Sequence, residues 1–452
     1  MTQPRFDLLI RNATLLTAEP DAPLLRDASL GVTGGRIAWV GEGVPQGAPE
    51  GGPAATQELD LGGRVITPGF VNVHTHSALS MVRGVAADLG FAPSYTRGIP
   101  NALDLSPEEA IAMTRLGVLE ALLAGSTLVG EHFVHVDACV PEIAALGLRV
   151  HASLRLHDVD FRAIADSGRW EFDAALGEDL LERNLALHAA WHGKHEGRVA
   201  VQFAAHAADT CSEPYLRRVA EAAQAKGAVV NTHLAQSRVE VDRVLARTGR
   251  TPAQVFDAAG LLDDKLLCGH CIYVDDADIE RMAKAGVHVV HIPKCNAASG
   301  RLAPTHKMKS AGLNMTLATD TQHGDMVELM RWALATARIQ TGGVDADWQP
   351  QHVFAMATLN GARALGLGEE LGSLKVGKKA DFVVFDFRRP HLAPAVNPLG
   401  NLVHTGQGRD VEMVFVEGQC IVRDGRPLLV DMDEVLAEAR RAAANLWRKA
   451  AA

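Results

Sequence analysis

The chain has 452 residues, with 47% hydrophobic and 22% charged residues and a net charge of −10. That length and mixture suit two or three packed units, and the acidic balance without a basic run argues against nucleic acid or an anionic membrane as partner. No apolar window approaches the ~18 uninterrupted residues of a membrane span, and the start, MTQPRFDLLIRNATLL, places Arg5, Asp7 and Arg11 where a targeting segment would be apolar.

Residues 6–66 read as short strands and turns, FDLLIRNATLL, DASLGVTGGRIAWVGEG and QELDLGGRVITPGF, punctuated by Gly and Pro. A Gly/Pro-rich stretch occupies 43–55. The same texture returns in GSLKVGKKADFVVFD (372–386) and VEMVFVEGQCIVRDGRPL (411–428). The expectation is one small β-sandwich-like domain built from residues 1–66 and 369–430, wrapped around the middle of the chain.

The middle, 67–368, alternates. Strand candidates are FVNVHTH (70–76), STLVGEH (126–132), LRVHASLRL (148–156), RVAVQFAAH (198–206), AVVNTH (228–233), KLLCGH (265–270), GVHVVHI (286–292) and LNMTLATD (313–320). Helical patterns lie between most of them. In SPEEAIAMTRLGVLEALLAG, Ser106 suits an N-cap, Pro107 the first helical position, Glu109 a capping box and Gly125 the terminator. EPYLRRVAEAAQAKG and DADIERMAKAG follow the same plan. Eight such units predict an α/β fold, a (β/α)8 TIM barrel. An open doubly wound sheet is the alternative, without the early G-x-G-x-x-G of its dinucleotide-binding version. The tail from 431 to 452 reads as an amphipathic helix.

The cysteines at 139, 211, 268, 271, 295 and 420 are too scattered for a disulfide framework, so the cytoplasm is the expected compartment. Cys268-Gly269-His270-Cys271 has the C-x-x-C form, yet LLCGHCIYV continues as an apolar segment where a redox dithiol should open a helix.

In a barrel all carboxyl-terminal strand ends face one mouth, where the chemistry resides. The predicted ends are His74-Thr75-His76, His206, His233, His270 and Asp320. Taken singly, each is more often a satisfied core or loop residue. Five strands ending in His or Asp make chance a poor explanation. Residues two apart on a strand share a face, so His74 and His76 can hold one cation, which His233 and Asp320 complete. Three imidazoles and a carboxylate suit Zn²⁺, or Fe or Mn, with an open position for water.

TPGFVNVHTHSALSMVRG (67–84), FAAHAADTCSEPYL, NTHLAQSRVEVD, GHCIYVDDADIERMAKAGVHVVHIPKCNAASG, LATD and GSLKVGKKADFVVFD together resemble the amidohydrolase superfamily, in its triazine hydrolase and aminohydrolase branch. The resemblance implies one divalent metal on His74, His76, His233 and Asp320, because His206 stands where a second metal would need a bridging lysine. It also implies that Asp320 takes the proton of the attacking water, His270 orients water or substrate, and His206 contacts a small-molecule substrate. A homodimer follows by analogy with similar barrels.

One position departs from that pattern. Deaminases of the branch have glutamate three residues after the strand-five histidine; this chain has Gln236. An amide orients substrate but does not titrate near neutral pH. The primary expectation is a deaminase of a small nitrogen heterocycle that moves its protons through Asp320, His270 and another group. The alternatives are a hydrolase of a urea, carbamate, cyclic amide or thio/chloro-substituted heterocycle, or a silent metal-binding scaffold. Lys294, Cys295 and His323 are candidate proton carriers or substrate contacts, each weighed against a plain loop residue. Glu240, one turn beyond Gln236, is expected to point away. The loops FAAHAADT and ATDTQHGDMVELMRWA also differ from the familiar pattern, so substrate identity stays open.

Overall fold

Two hydrogen-bonded sheets organise the chain. A computed structural model describes residues 6–45, 55–89 and 98–451, and most of the Gly/Pro-rich stretch at 43–55 lies outside the described residues. The first sheet is the barrel. Its strands are Phe70–Thr75, Ser126–Phe133, Arg149–Leu156, the interrupted pair Val199–Val201 and Phe203–Ala207, then Val230–Leu234, Leu266–His270, His288–His291 and Asn314–Leu317. All their pairings are parallel and join neighbours in chain order.

Closure comes from the last strand meeting the first. Thr75 bridges Asp320, the His76 amide donates to the Asp320 carbonyl at 2.7 Å, and the Asp320 amide donates to the His74 carbonyl at 3.1 Å. One layer deeper, Asn72 donates to Thr319 Oγ1 at 2.7 Å and accepts from the Thr319 amide at 3.0 Å. The seam of the barrel therefore runs through the predicted ligands.

The helices form where the sequence signals them. Ser106 and Glu109 make the reciprocal capping box of the helix Pro107–Leu123, and Gly125 follows it at φ 96°. Gly227 and Gly286 end Glu213–Lys226 and Asp276–Ala285 in the left-handed conformation that glycine adopts without strain. Among the described residues no helix is long and apolar enough to cross a membrane.

Among the described residues the second sheet has nine strands, five from the N-terminal segment and four from the C-terminal one. Val65–Pro68 pairs antiparallel with Phe382–Phe385, which joins the two ends of the chain. The expected sandwich-like unit is thus one continuous mixed sheet folded over Ile10, Leu30, Ile66, Phe382 and Phe415. It meets the barrel at a buried cluster: Arg149, opening the third barrel strand, donates to both oxygens of Asp381 at 2.7 and 3.1 Å and lies 3.0 Å from Glu417. The terminal helix Met432–Ala451 packs on Pro107–Leu123, with Lys449 donating to Glu109 at 2.7 Å.

Candidate metal and active site

His74, His76, His233 and Asp320 lie together at the carboxyl-terminal mouth of the barrel, buried, with their ligand atoms all within 4.8 Å of one another. Each imidazole has its Nδ1 tied to an oxygen. His74 Nδ1 donates to Asn231 Oδ1 at 2.7 Å, His233 Nδ1 to the His206 carbonyl at 2.8 Å, and His76 Nδ1 to the His132 carbonyl. An oxygen acceptor fixes the proton on Nδ1 and leaves the Nε2 lone pair exposed.

The three Nε2 atoms then face one another at 3.1, 3.1 and 3.2 Å, and Asp320 Oδ1 stands 3.5 Å from His76 Nε2 and 3.8 Å from His74 Nε2. Three lone pairs and a carboxylate converging on one point repel unless a cation sits between them. Burial keeps the imidazoles neutral, as ligation requires: His74 is pushed down to about 4, and His76 and His233 well below the usual histidine range. Burial also raises Asp320 to about 7. The residues fit one divalent ion.

Beside this cluster is a cavity of about 320 Å³, lined by His76, His233 and Asp320 and by the predicted site residues His206, Gln236, His270, Lys294 and His323. His270 Nδ1 donates to Asn296 Oδ1 at 2.8 Å, which presents Nε2 on the opposite side, and its ring stacks on His233 at 5.5 Å. His206 shares Nδ1 with Thr210 Oγ1 at 2.7 Å and meets His233 edge-on at 4.9 Å. Lys294 pairs with Glu328 at 2.7 Å. Cys295 lies against the Asp320 carboxylate. Ala235, His270, Cys271, Asp320 and Gln322 all have positive φ, so sparsely populated backbone is concentrated around this mouth.

Glu240 does not line the cavity, but neither does it turn away. Its carboxylate is fully buried beneath the loop and accepts the Ala235 amide at 2.9 Å and the Gln236 amide at 2.7 Å, anchoring the backbone that carries Gln236. Cys268 and Cys271 are free and buried at the end of the sixth strand, which no helix follows directly.

Several functional neighbours escape the sequence reading. Glu131 and His132 precede Phe133 at the end of the second strand. Glu131 is buried, pushed up to about 7 by that burial, and accepts Thr75 Oγ1 at 2.6 Å and the Ser77 amide at 3.0 Å. The His132 ring lies 5.2 Å from that of His74. Arg155, near the end of the third strand, sits over the Phe161 ring at 4.4 Å in the cavity wall. A strand-end search extended to these two strands would have found them.

A closed (β/α)8 barrel with three metal-ready imidazoles and a carboxylate at its strand ends defines a metal-dependent hydrolase. Residues 65–421 match the model of the Amidohydrolase family, and the chain belongs to that family, as its motifs lead one to expect. It is 33% identical over 451 residues to a 5'-deoxyadenosine deaminase of Methanosarcina acetivorans, covering 98% of this chain and 99% of the relative. It is 34% identical over 439 residues to a 5-methylthioadenosine/S-adenosylhomocysteine deaminase of Moorella thermoacetica, with 95% and 97% covered. The crystal structure of an adenosine deaminase from Xanthomonas campestris with bound zinc has a TM-score of 0.86 at 26% identity, with 98% of this chain and 99% of that one covered. That neighbour's zinc agrees with the cluster of four ligands.

Proposed function

We propose that this protein is a zinc-dependent aminohydrolase that releases ammonia from an sp² carbon of a small nitrogen heterocycle, with adenine nucleosides as the first substrates to test. The observation that carries it is the convergence of His74, His76, His233 and Asp320 beside the cavity. The names of the full-length relatives support the substrate class.

His74, His76, His233 and Asp320 hold the ion. A divalent ion bound there lowers the pKa of its water toward neutrality and polarises the group under attack. Asp320 takes the proton of the attacking water on a carboxylate oxygen. His270, fixed by Asn296, uses Nε2 to orient water or substrate. Gln236 donates to and accepts from the heterocycle edge without delivering a proton, and His206, Lys294 and His323 contact the substrate. We extend the proposal to a homodimer in the cytoplasm, to be tested by sedimentation equilibrium and cell fractionation.

Gln236 itself favours a second reading, because a leaving group that departs without a proton makes a titrating residue at 236 unnecessary. Such substrates are ureas, carbamates, cyclic amides and thio- or chloro-substituted heterocycles. Metal-loaded protein should be assayed on aminopurines, pterins, pyrimidines and triazines, with ammonia measured directly. Ammonia release supports deamination. Release of an alkylamine, sulfide or chloride without ammonia from any amino substrate overturns it in favour of the second reading, and no turnover at full metal content leaves a silent scaffold.

A further inference from the structure

Deamination requires one proton to leave the attacking water and one to reach the departing nitrogen. Asp320 serves the first, and Gln236 cannot supply the second. Apart from the metal ligands and three arginines, the titratable side chains that line the cavity among the described residues are His206, His270, Lys294, Cys295 and His323. His206 and His270 each commit a ring nitrogen to a fixed partner, Lys294 is paired with Glu328, and Cys295 lies against Asp320. His323 differs from all of these. The residue is half-buried and lines the cavity, yet both of its ring nitrogens are buried with no hydrogen-bond partner among the described residues. Such atoms are destabilising unless ligand or water meets them.

The backbone holds that ring in place. Gln322 before it is left-handed at φ 67°. Gly324 after it packs so closely on the helix Pro107–Leu123 that a Cβ would lie 2.5 Å from the Ala121 nitrogen. Asp325 caps the next helix and accepts the Gly408 amide at 2.8 Å. The loop is therefore fixed on both sides of His323.

Resting on the deaminase reading above, we propose that His323 delivers the proton to the leaving nitrogen. It donates from one ring nitrogen and takes a proton at the other, so the imidazole exchanges tautomer and stays neutral. Burial, which pushes His323 down to about 3, favours that neutral form. The cycle balances. Water adds its oxygen to the carbon and gives one proton to Asp320. The C–N bond breaks with its electron pair on nitrogen, which takes the His323 proton and leaves as ammonia. The proton on Asp320 passes through water in the cavity to the second nitrogen of His323, and proton exchange with solvent after the product leaves restores the starting tautomer.

The test compares wild type, His323→Asn, His323→Gln and Lys294→Met, each with checked zinc content and thermal melting, on a 6-aminopurine nucleoside and its 6-chloro analogue. Chloride departs without a proton. The amino-to-chloro ratio of kcat/KM should fall on the order of 10²-fold in the folded His323 variants and hold in Lys294→Met. Binding of the unsubstituted purine nucleoside, measured by calorimetry, should weaken in the His323 variants by far less than kcat/KM on the amino substrate falls. An unchanged ratio in the His323 variants, a selective fall in Lys294→Met alone, or weakened binding that matches the lost kcat/KM overturns the assignment alone. A wild type that turns over neither purine overturns the adenine-nucleoside form of the deaminase reading, and this assignment with it.

Discussion

Asn231 Oδ1 lies 2.7 Å from His74 Nδ1, a buried hydrogen bond between residues 157 positions apart. The Asn231 amide nitrogen donates to the Val73 carbonyl at 3.1 Å, which keeps the oxygen facing the imidazole. One amide thus sets the tautomer of a ligand on the first strand from its place on the fifth. Asn296 does the same for His270 at 2.8 Å.

Asn231→Leu should weaken zinc binding about 10- to 100-fold while leaving the fold intact, the usual effect of removing the partner of a ligating histidine. Competition with a chromophoric chelator measures it. Wild-type affinity in that variant would mean that Asn231 does not orient His74.

Gln236→Glu places a titrating group in the cavity that Asp320 also lines, where burial already raises the Asp320 carboxyl. The pH optimum of ammonia release should shift and activity on the native substrate should fall, with zinc content unchanged. A large gain on an aminoheterocycle would show instead a lineage that once used a carboxylate there. Full pH profiles of kcat/KM for both proteins separate the two outcomes.

Much of this site was legible in the sequence because barrel chemistry sits at strand ends, where a polar residue interrupts an apolar run. His74, His76, His206, His233, His270 and Asp320 all stand at such interruptions. Asn231 and Asn296 do not, since each acts through a contact across space that no spacing records. Glu240 misled for a local reason: its place in the first helical turn puts its carboxylate under the amides of Ala235 and Gln236, so a residue on the following helix still supports the loop. The small sheet was legible in texture only. Pairing Val65–Pro68 with Phe382–Phe385 depends on the barrel between them bringing the two ends together.

Asp381→Ala removes a carboxylate that accepts two hydrogen bonds from Arg149, with both side chains nearly inaccessible to solvent. Leaving a buried guanidinium short of a partner should cost about 3 kcal/mol. Urea denaturation should show a lower midpoint, and a loss under about 0.5 kcal/mol, the range of ordinary surface substitutions, would contradict that role.

Acid should destabilise the metal-free fold beginning below pH 6.5. Burial holds His157, His291 and His323 down at about 3, against an ordinary 6.5. Between those values the unfolded chain binds protons that the folded chain does not, so their contribution is complete above 6.5 and shrinks as pH falls toward 3. Each loses at most about 2 kcal/mol between pH 6.5 and 5. Glu131 and Asp320, raised to about 7 by burial, act with the opposite sign; His151 and His270, pushed down to about 4 and about 3, add to the histidine side. Urea midpoints of metal-free protein should be lower at pH 5 than at pH 7, and equal midpoints would contradict the balance.

The most direct test of the central claim is a titration of metal-stripped protein with Zn²⁺, following ammonia release from an adenine nucleoside at each addition. The geometry of His74, His76, His233 and Asp320 predicts no release at zero metal, a linear rise, and a plateau at one ion per chain, all abolished in Asp320→Ala. Turnover by the metal-free protein, or a plateau at two ions, would contradict it.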